Sequence, residues 1–144
     1  RNFVLIAPNN DPGSASILKV IATLPKNRFR MLPSMRFSHF SELMRNAAAM
    51  IGNSSAGVRE APFLGIPSLD VGTRQTNRAQ ADSICHVTAF DRGAIDTFLS
   101  QDWNKRYDRH NAFGEGSAAE RFGAVLQAPS FWAANLQKAF KDSE

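Results

Sequence analysis

Two adjacent serines, Ser54 and Ser55, follow an apolar run and lead into a predicted helical segment. Such a junction directs several backbone N–H groups toward one point, because the first N–H groups of a helix have no acceptor inside it. The helix dipole adds partial positive charge at that end, which favours a phosphate group as the ligand. The small residues Ala56 and Gly57 would allow this ligand to approach the backbone.

Glu60 lies further along the same predicted helix. A carboxylate there repels a phosphate unless the carboxylate points past the phosphate toward neutral hydrogen-bond donors. A sugar diol supplies such donors, as the ribose does in dinucleotide-binding folds. The local interpretation is a nucleotide diphosphate at the serines with its ribose at Glu60. The alternative is a plain helix cap, since serine is preferred at helix starts. The segment has neither the Walker lysine nor the full Rossmann glycine spacing.

A second polar loop, residues 72–78, carries two arginines four residues apart, Arg74 and Arg78. It leaves the carboxyl end of a predicted strand, and in open parallel sheets ligands bind at that edge. Arginine is suited to bidentate contact with phosphate. The alternative is a solvated loop with two surface arginines. Its position one strand away from the serine pair favours the functional interpretation.

Apolar runs alternate with amphipathic segments and would position both loops. The predicted strands are 3–7, 28–32, 47–51, 68–71 and 84–87, and the predicted helices are 15–24, 39–46, 92–100, 118–126 and one from residue 129. This alternation predicts an α/β fold, a Rossmann-like parallel sheet with helices on both faces. The first strand is expected to be central and covered on both faces.

Finer expectations concern helix starts and side-chain directions. Ser14 and Ser38 are predicted to cap the first two helices. Phe29 and Met31 should face inward from the second strand, because alternate residues of a strand share a face. The last predicted helix carries the apolar residues Phe131, Trp132, Leu136 and Phe140.

Length and charge limit the function classes. The 144 residues fit one domain, and the net charge of +4 favours an anionic ligand. No long Lys/Arg run is present, so nucleic acid is a weaker expectation than a phosphorylated small molecule. No apolar run is long enough to span a membrane, and no signal peptide is evident. The single cysteine, Cys85, excludes an internal disulfide and fits a cytoplasmic protein.

Sets of residues typical of other chemistry are missing from the sequence. The three histidines have no metal-ligand spacing, no cysteine pair could bind zinc, and no Gly-x-Ser-x-Gly motif occurs. His86, in an apolar strand, is expected to be a hydrogen-bonded core residue. The sequence therefore predicts parts of a binding site for an anion, with no metal, no cofactor and no complete catalytic set.

The two loops together resemble a known family. Residues 51–62 read IGNSSAGVREAP and residues 72–78 read GTRQTNR. These closely resemble the patterns IGNSSSGIREAP and GTRQxxR of the hydrolysing UDP-N-acetylglucosamine 2-epimerases. Three further matches follow the same order, namely PNxDPGS at 8–14, a helix with Phe40, and FGEGxA at 113–118, where the family tends to have YGDG. The resemblance thus covers nearly the whole chain.

The resemblance implies the second, nucleotide-binding half of a glycosyltransferase-B-like fold, whose two Rossmann-like halves hold a nucleotide sugar between them. By position, Ser54, Ser55 and the amide of Ala56 would hold the diphosphate of UDP. Glu60 would accept hydrogen bonds from the ribose, Phe40 would lie against the uracil, and Arg74 and Arg78 would lie near the phosphates. At Ala56 the family often has a third serine, so one side-chain donor is lost while the N–H remains.

The reaction implied by the resemblance eliminates UDP from UDP-N-acetylglucosamine and adds water, which yields N-acetylmannosamine, an early step toward sialic acid. Its proton-transferring groups are mostly carboxylates of the first domain and a histidine near the domain junction, and this chain is expected to begin after them. We therefore expect residues 1–144 to form a C-terminal domain that is inactive without the missing N-terminal domain. The segment around Phe131 and Trp132 would pack back on that domain, which would leave aromatic surface exposed in this chain.

Three alternatives stay open at this point. The chain could come from a related nucleotide-sugar epimerase, from a glycosyltransferase, or from a nucleotide-binding module without chemistry. The GTRQxxR loop favours the hydrolysing epimerases over the related enzymes. The exact sugar and the oligomeric state of the full-length enzyme are not determined by the sequence.

Overall fold

Short strands alternate with helices along the chain in this computed structural model, which describes residues 1–133 and residue 137. The elements are β1 (Phe3–Ile6), α1 (Ser14–Ala22), β2 (Phe29–Leu32), α2 (Phe37–Arg45), β3 (Met50–Gly52), a 3₁₀ turn (Ser55–Gly57), α3 (Glu60–Phe63), β4 (Ser68–Val71), β5 (Ile84–Val87), α4 (Arg92–Gln101), α5 (Ala118–Gln127) and α6 (Pro129–Trp132). Both β4 and β5 have the bounds that the sequence predicts.

Every strand pairing is parallel. Strand β1 pairs with β2, and the order β3-β4-β5 forms a three-stranded sheet in which Gly52, Asp70 and His86 lie in register. Parallel strands joined by helices are the defining feature of an α/β fold, so the predicted fold class is confirmed. Within residues 1–133 the five strands form two hydrogen-bonded ladders, and the pairing order places β4 at the centre of the larger one.

Two apolar clusters form the core. Leu69, Val87 and Phe98 pack together between the sheet and α4, and each is at most 6% exposed. A second cluster consists of Met44, Ala61 and Ile66. Because successive residues of a strand point to opposite faces, Ser68 and Asp70 of β4 lie on the face opposite Leu69. The segment after β3 packs on that polar face.

The prediction of a first strand covered on both faces is wrong. Val4 is 45% exposed and Ile6 is 36% exposed, and β1 has a hydrogen-bonded neighbour on only one side. Met31 of β2, predicted to face inward, is 49% exposed, whereas Phe29 is half-buried and stacks on Phe3. The physical reason is that α1 buries none of its residues and so leaves the apolar side chains of this unit uncovered.

Two of the predicted helix caps are wrong. Ser14 is the first residue of α1, and Gly13 precedes it without a side-chain cap. Ser38 lies inside α2, which begins one residue after Arg36 and also has no side-chain cap. By contrast, Asp91 caps α4, since its Oδ1 accepts a hydrogen bond from the Ala94 N–H at 3.0 Å.

The C-terminal segment shows only part of the last predicted helix. Phe131 and Trp132 are 46% and 69% exposed and contact each other edge to face, while Leu136 and Phe140 lie outside the described residues. Phe131 and Trp132 thus present exposed aromatic surface, as expected from the sequence analysis. No helix in the described part of the chain is long and apolar enough to cross a membrane.

Candidate functional site

Both candidate loops leave their strands through a glycine. Gly52 ends β3 with φ of +148°, and Gly72 follows β4 with φ of +100°. These backbone angles favour glycine, because a Cβ atom would strain them. In each case the chain turns out of the sheet at its carboxyl edge. The two loops therefore start from neighbouring strands at the same edge, as the sequence predicts.

The serine turn, residues 53–57, is shorter than the predicted helix start. It consists of one 3₁₀ turn from Ser55 to Gly57, and the Gly57 N–H donates to the Ser54 carbonyl at 3.0 Å. Because a turn of this length aligns few peptide dipoles, it has no strong macrodipole. An anion would be attracted here by the free N–H groups. The N–H groups of Ser54 and Ser55 have no acceptor in the described part of the chain.

The hydroxyl of Ser54 acts as a cap. Its Oγ accepts a hydrogen bond from the Ala56 N–H at 3.3 Å, which is long for a bond of this type. Ser54 thus acts as the plain helix cap in this structure. Its hydroxyl accepts from the Ala56 N–H, which is the group that the resemblance assigns to the diphosphate. A bond this long is readily exchanged for one to an ionised oxygen, which is shorter and about twice as strong.

Gly57 does not line the ligand side. It is buried, and a Cβ atom at this position would lie 2.7 Å from Ser68 Oγ of β4. The absence of a side chain allows the turn to pack closely on the sheet. The expectation that Gly57 admits a ligand to the backbone is therefore wrong, and its role is to hold the turn against β4.

Glu60 is the first residue of α3, three residues after the 3₁₀ turn ends at Gly57. Its Oε2 is buried and has no hydrogen-bond partner among the described residues. A buried polar atom without a partner costs about 1–3 kcal/mol, and more when it is charged. The carboxylate can thus accept a donor that the surrounding protein does not supply.

Phe40 of α2 lies near the end of this segment. It is half-buried and packs against the cluster that includes Ala61, the residue after Glu60. A ring in this place is fixed by the core and still partly exposed. Among the predicted site residues, Ser54, Ser55, Ala56 and Glu60 lie on one continuous segment, and Phe40 lies beside its end.

The second loop is joined to the serine turn by a residue that the sequence analysis did not single out. Gln75 is 1% exposed, and its Nε2 donates to the Asn53 carbonyl at 2.8 Å. Its Oε1 accepts from Arg78 Nη1 at 3.2 Å. Arg78 is thereby linked to the serine turn. No charge or hydropathy pattern marks a buried glutamine in a polar loop, and only the GTRQ motif could have drawn attention to it.

Arg74 faces a different partner. Its Nη2 lies 3.5 Å from Asp11 Oδ2 in the loop after β1, and both side chains are more than half exposed. An exposed ion pair of this kind contributes little, about 0–1 kcal/mol, because water screens it. Arg74 is therefore held loosely, and the structure brings a third loop to the same side of the molecule.

Beneath the serine turn, Asp70 and His86 form a hydrogen-bonded pair. His86 Nδ1 lies 2.8 Å from Asp70 Oδ2, and the aspartate side chain is 2% exposed. His86 is hydrogen-bonded as predicted, but its side chain is 41% exposed, so it is not a core residue. Within residues 1–133 and 137, no three His, Cys, Asp or Glu residues are grouped to hold a metal ion.

A groove of about 620 Å³ lies at the opposite edge of the sheet, between residues 80–83 and 106–110. Nearby, the Tyr107 hydroxyl donates to Asp102 Oδ1 at 2.5 Å. Burial, followed by this bond, raises the pKa of Tyr107, and a hydrogen bond with Tyr107 raises the pKa of Lys105. None of the predicted site residues lines this groove, so it is separate from the candidate site.

Comparison with known proteins gives a consistent result. The sequence profile of the family described as UDP-N-acetylglucosamine 2-epimerase matches residues 1–127. The chain is 39% identical over 145 residues to the UDP-N-acetylglucosamine 2-epimerase of Neisseria meningitidis serogroup B. This alignment covers 99% of this chain and 38% of the relative. It is 31% identical over 128 residues to the hydrolysing UDP-N,N'-diacetylbacillosamine 2-epimerase of Legionella pneumophila. That alignment covers 87% of this chain and 33% of the relative.

A third relative is the polysialic acid biosynthesis protein P7 of Escherichia coli, which is 32% identical over 88 residues. That alignment covers 60% of this chain and 22% of the relative. The matched part of the chain thus spans 38% of the length of the Neisseria relative, 33% of the Legionella one and 22% of the Escherichia coli one.

Proposed function

This chain belongs to the UDP-N-acetylglucosamine 2-epimerase family, and on that premise we propose that it is the UDP-binding half of a hydrolysing 2-epimerase. The whole enzyme would convert UDP-N-acetylglucosamine and water into N-acetylmannosamine and UDP. Residues 1–144 would form its C-terminal nucleotide-sugar-binding domain. The proton-transferring groups would belong to an N-terminal domain, so this chain alone would bind the nucleotide without turnover.

The observation that carries the proposal is the buried, unpartnered Oε2 of Glu60. A nucleotide ribose has two neighbouring hydroxyl groups, and either can donate a hydrogen bond to this oxygen. Hydrogen bonds to charged groups contribute about 1.5–3 kcal/mol, which is enough to fix the ribose. Phe40, held beside the same segment, would offer its exposed ring surface to the uracil.

The diphosphate would lie on the serine turn. The N–H groups of Ser54 and Ser55 are available to it, and both serine hydroxyls are close by. The N–H of Ala56 would exchange the Ser54 hydroxyl for a phosphate oxygen. Arg78 would approach through its link to the turn, and Arg74 would leave Asp11 to pair with the diphosphate.

In the elimination step, a base of the N-terminal domain would take the proton from the sugar C2, and a double bond would form between C1 and C2. The bond between C1 and the β-phosphate oxygen breaks, and that oxygen keeps the electron pair. Negative charge therefore grows on the phosphate during the reaction. Donors already fixed around this oxygen stabilise the more highly charged transition state better than they stabilise the ground state. An anion site accelerates such a step in this way. The contribution of this chain to catalysis would thus be stabilisation of the UDP leaving group.

The sugar itself is open to a second candidate. The Legionella relative is named for UDP-N,N'-diacetylbacillosamine, a different N-acetylated sugar on the same nucleotide. The groups named above would all contact UDP, so they do not distinguish the two substrates. Turnover of both sugars by a complete enzyme is the assay that separates them.

Calorimetric titration of UDP into this chain tests the nucleotide part of the proposal. We expect a dissociation constant on the order of 10 μM to 1 mM, because half of a cleft lacks the other half's contacts. UDP should bind more tightly than UMP or GDP. Glu60→Gln should weaken UDP binding roughly tenfold or more, since it removes a charged acceptor. Glu120→Gln, an exposed carboxylate of α5, is the matched control and should have no effect.

A chimera tests the catalytic part. This chain would replace the matching segment of the Neisseria meningitidis relative, and release of UDP from UDP-N-acetylglucosamine would be followed. We expect turnover by the chimera and none by the chain alone. Equal UDP binding by Glu60→Gln and the native chain, or an inactive chimera that is correctly folded, would count against the proposal.

A further inference from the structure

Gln75 is nearly completely buried and connects the two loops of the candidate site. We propose that Gln75 is a positioning residue that orients the serine turn for the diphosphate and holds Arg78 beside it. This inference rests on the function proposed above and adds a residue that touches no ligand itself. It is carried by two hydrogen bonds, one to the Asn53 carbonyl at 2.8 Å and one from Arg78 Nη1 at 3.2 Å.

The two partners define the orientation of the glutamine amide. A backbone carbonyl can only accept a hydrogen bond, and a guanidinium can only donate one. The NH₂ group of Gln75 must therefore face Asn53, and its carbonyl oxygen must face Arg78. A reversed amide would lose both bonds at once. The two bonds thus fix the side chain in one orientation. Because Gln75 is only 1% exposed, its amide cannot easily rotate into another one.

The bond to Asn53 sets the direction of the next N–H group. A peptide group is planar, and in its trans form the C=O of one residue points opposite to the N–H of the following one. When Gln75 holds the Asn53 oxygen on the buried side, the Ser54 N–H points away from Gln75. That N–H has no acceptor in the described part of the chain, so it is available to a phosphate oxygen.

The bond to Arg78 is supported by the backbone. Asn77 has φ of +60°, a left-handed angle that asparagine tolerates better than most residues. This turn lets the Arg78 N–H donate to the Gln75 carbonyl at 3.2 Å while its guanidinium reaches the Gln75 side chain. Arg78 is therefore attached to Gln75 twice, and its remaining guanidinium donors stay near the serine turn.

The test compares UDP and UMP affinities of Gln75→Met, a substitution that keeps the length of the side chain and removes both hydrogen bonds. A merely structural role would lower the folded fraction and weaken both ligands by the same factor, which leaves their ratio unchanged. A positioning role acts on the second phosphate, so we expect the UDP preference to fall roughly tenfold. Leu69→Ala, a core change on the other face of β4, is the control and should keep the ratio.

The UDP and UMP affinities distinguish a failure of the proposed function from a failure of the role proposed for Gln75. A native chain without preference for UDP over UMP contradicts the proposed function and this inference with it. A native preference that Gln75→Met retains overturns the inference alone. Should Gln75→Met fail to fold, Gln75→Ala, which leaves room for water beside the Asn53 carbonyl, is subjected to the same comparison with the same criterion.

Discussion

The middle of the chain and its two flanks differ sharply in packing. All the buried apolar side chains of the described residues lie between Met44 and Phe98. The β1–α1–β2 unit before this region and the α5–α6 pair after it contain no buried apolar side chain. Most of the exposed large apolar residues also lie in the flanks, although Ile51 and Phe90 of the middle are exposed too. Those of the flanks include Val4, Ile17, Val20, Met31, Phe122 and Trp132.

This difference shows where rigidity is needed. The serine turn and Gln75 both lie in the packed region, where close contacts hold the turn against β4. A binding site must keep its donors in fixed places, and packed elements do so better than exposed ones. The exposed flanks carry the loop with Asp11 and the aromatic segment, so apolar surface is uncovered both before and after the packed region of the chain.

The largest effect is expected from a matched pair of phenylalanines. Phe98→Ala, at a side chain 1% exposed, should lower the free energy of unfolding by about 3–5 kcal/mol, because it leaves a cavity in the core. Phe122→Ala, at a side chain 65% exposed, should change it by less than about 0.5 kcal/mol. Urea unfolding measures both, and similar losses would remove the contrast between core and flank.

The next effect sharpens the comparison at two glycines. Gly52→Ala in the packed region and Gly13→Ala before α1 each place a side chain at a positive φ, so both should cost about 1–3 kcal/mol of stability. Only Gly52→Ala should also weaken UDP binding, since it redirects the serine turn. Thermal unfolding and UDP titration of both variants provide the check. Equal affinities in the two variants would argue against a diphosphate on this turn.

A chemical probe gives a third comparison. Burial raises the pKa of the Cys85 thiol, and the charges of Asp102 and Asp91 raise it further, so little thiolate forms near neutral pH. We expect Cys85 to react with a thiol reagent roughly tenfold more slowly than a cysteine placed on α1 by Ser16→Cys in a Cys85→Ser background. Reaction at equal rates would mean that this part of the packed region opens readily.

The smallest effect is expected at the ion pair between the flank and the site loop. Asp11→Asn removes the partner of Arg74, but the pair is exposed, so stability should change by less than about 1 kcal/mol. UDP affinity should stay equal or rise slightly, because Arg74 no longer has to leave Asp11. A clear loss of UDP affinity in calorimetry would show that Asp11 itself helps the site.

The elements predicted best are those whose local signals agree with their packing. Strands β4 and β5 match the prediction to the residue. Turn-forming residues mark both ends of β4, at Pro67 and Gly72, and β5 is a short segment rich in strand-forming residues, so both are specified locally. Strand β1 was predicted to be buried from an equally apolar run, yet its exposure depends on what covers it. Coverage is a tertiary property, and a continuous apolar run does not reveal it.

The same division holds for the candidate site. Ser54, Ser55, Ala56 and Glu60 come together because they are neighbours in the chain, so their grouping was predictable. The link through Gln75 joins residues 22 apart, and the partner of Arg74 lies on another loop. Such contacts follow from the strand order, which places separate loops at one edge, and no local pattern encodes them. The roles of these residues in binding UDP stay predictions.

The most direct test of the account is a nuclear magnetic resonance titration of the ¹⁵N-labelled chain with UDP. We expect the amide signals of Ser54, Ser55 and Ala56 to move furthest, because their N–H groups would take phosphate oxygens as acceptors. The amide signal of Ser83, in the groove at the opposite edge of the sheet, should stay in place. Saturable shifts that bypass the serine turn, or no shifts at millimolar UDP, would contradict a diphosphate site there.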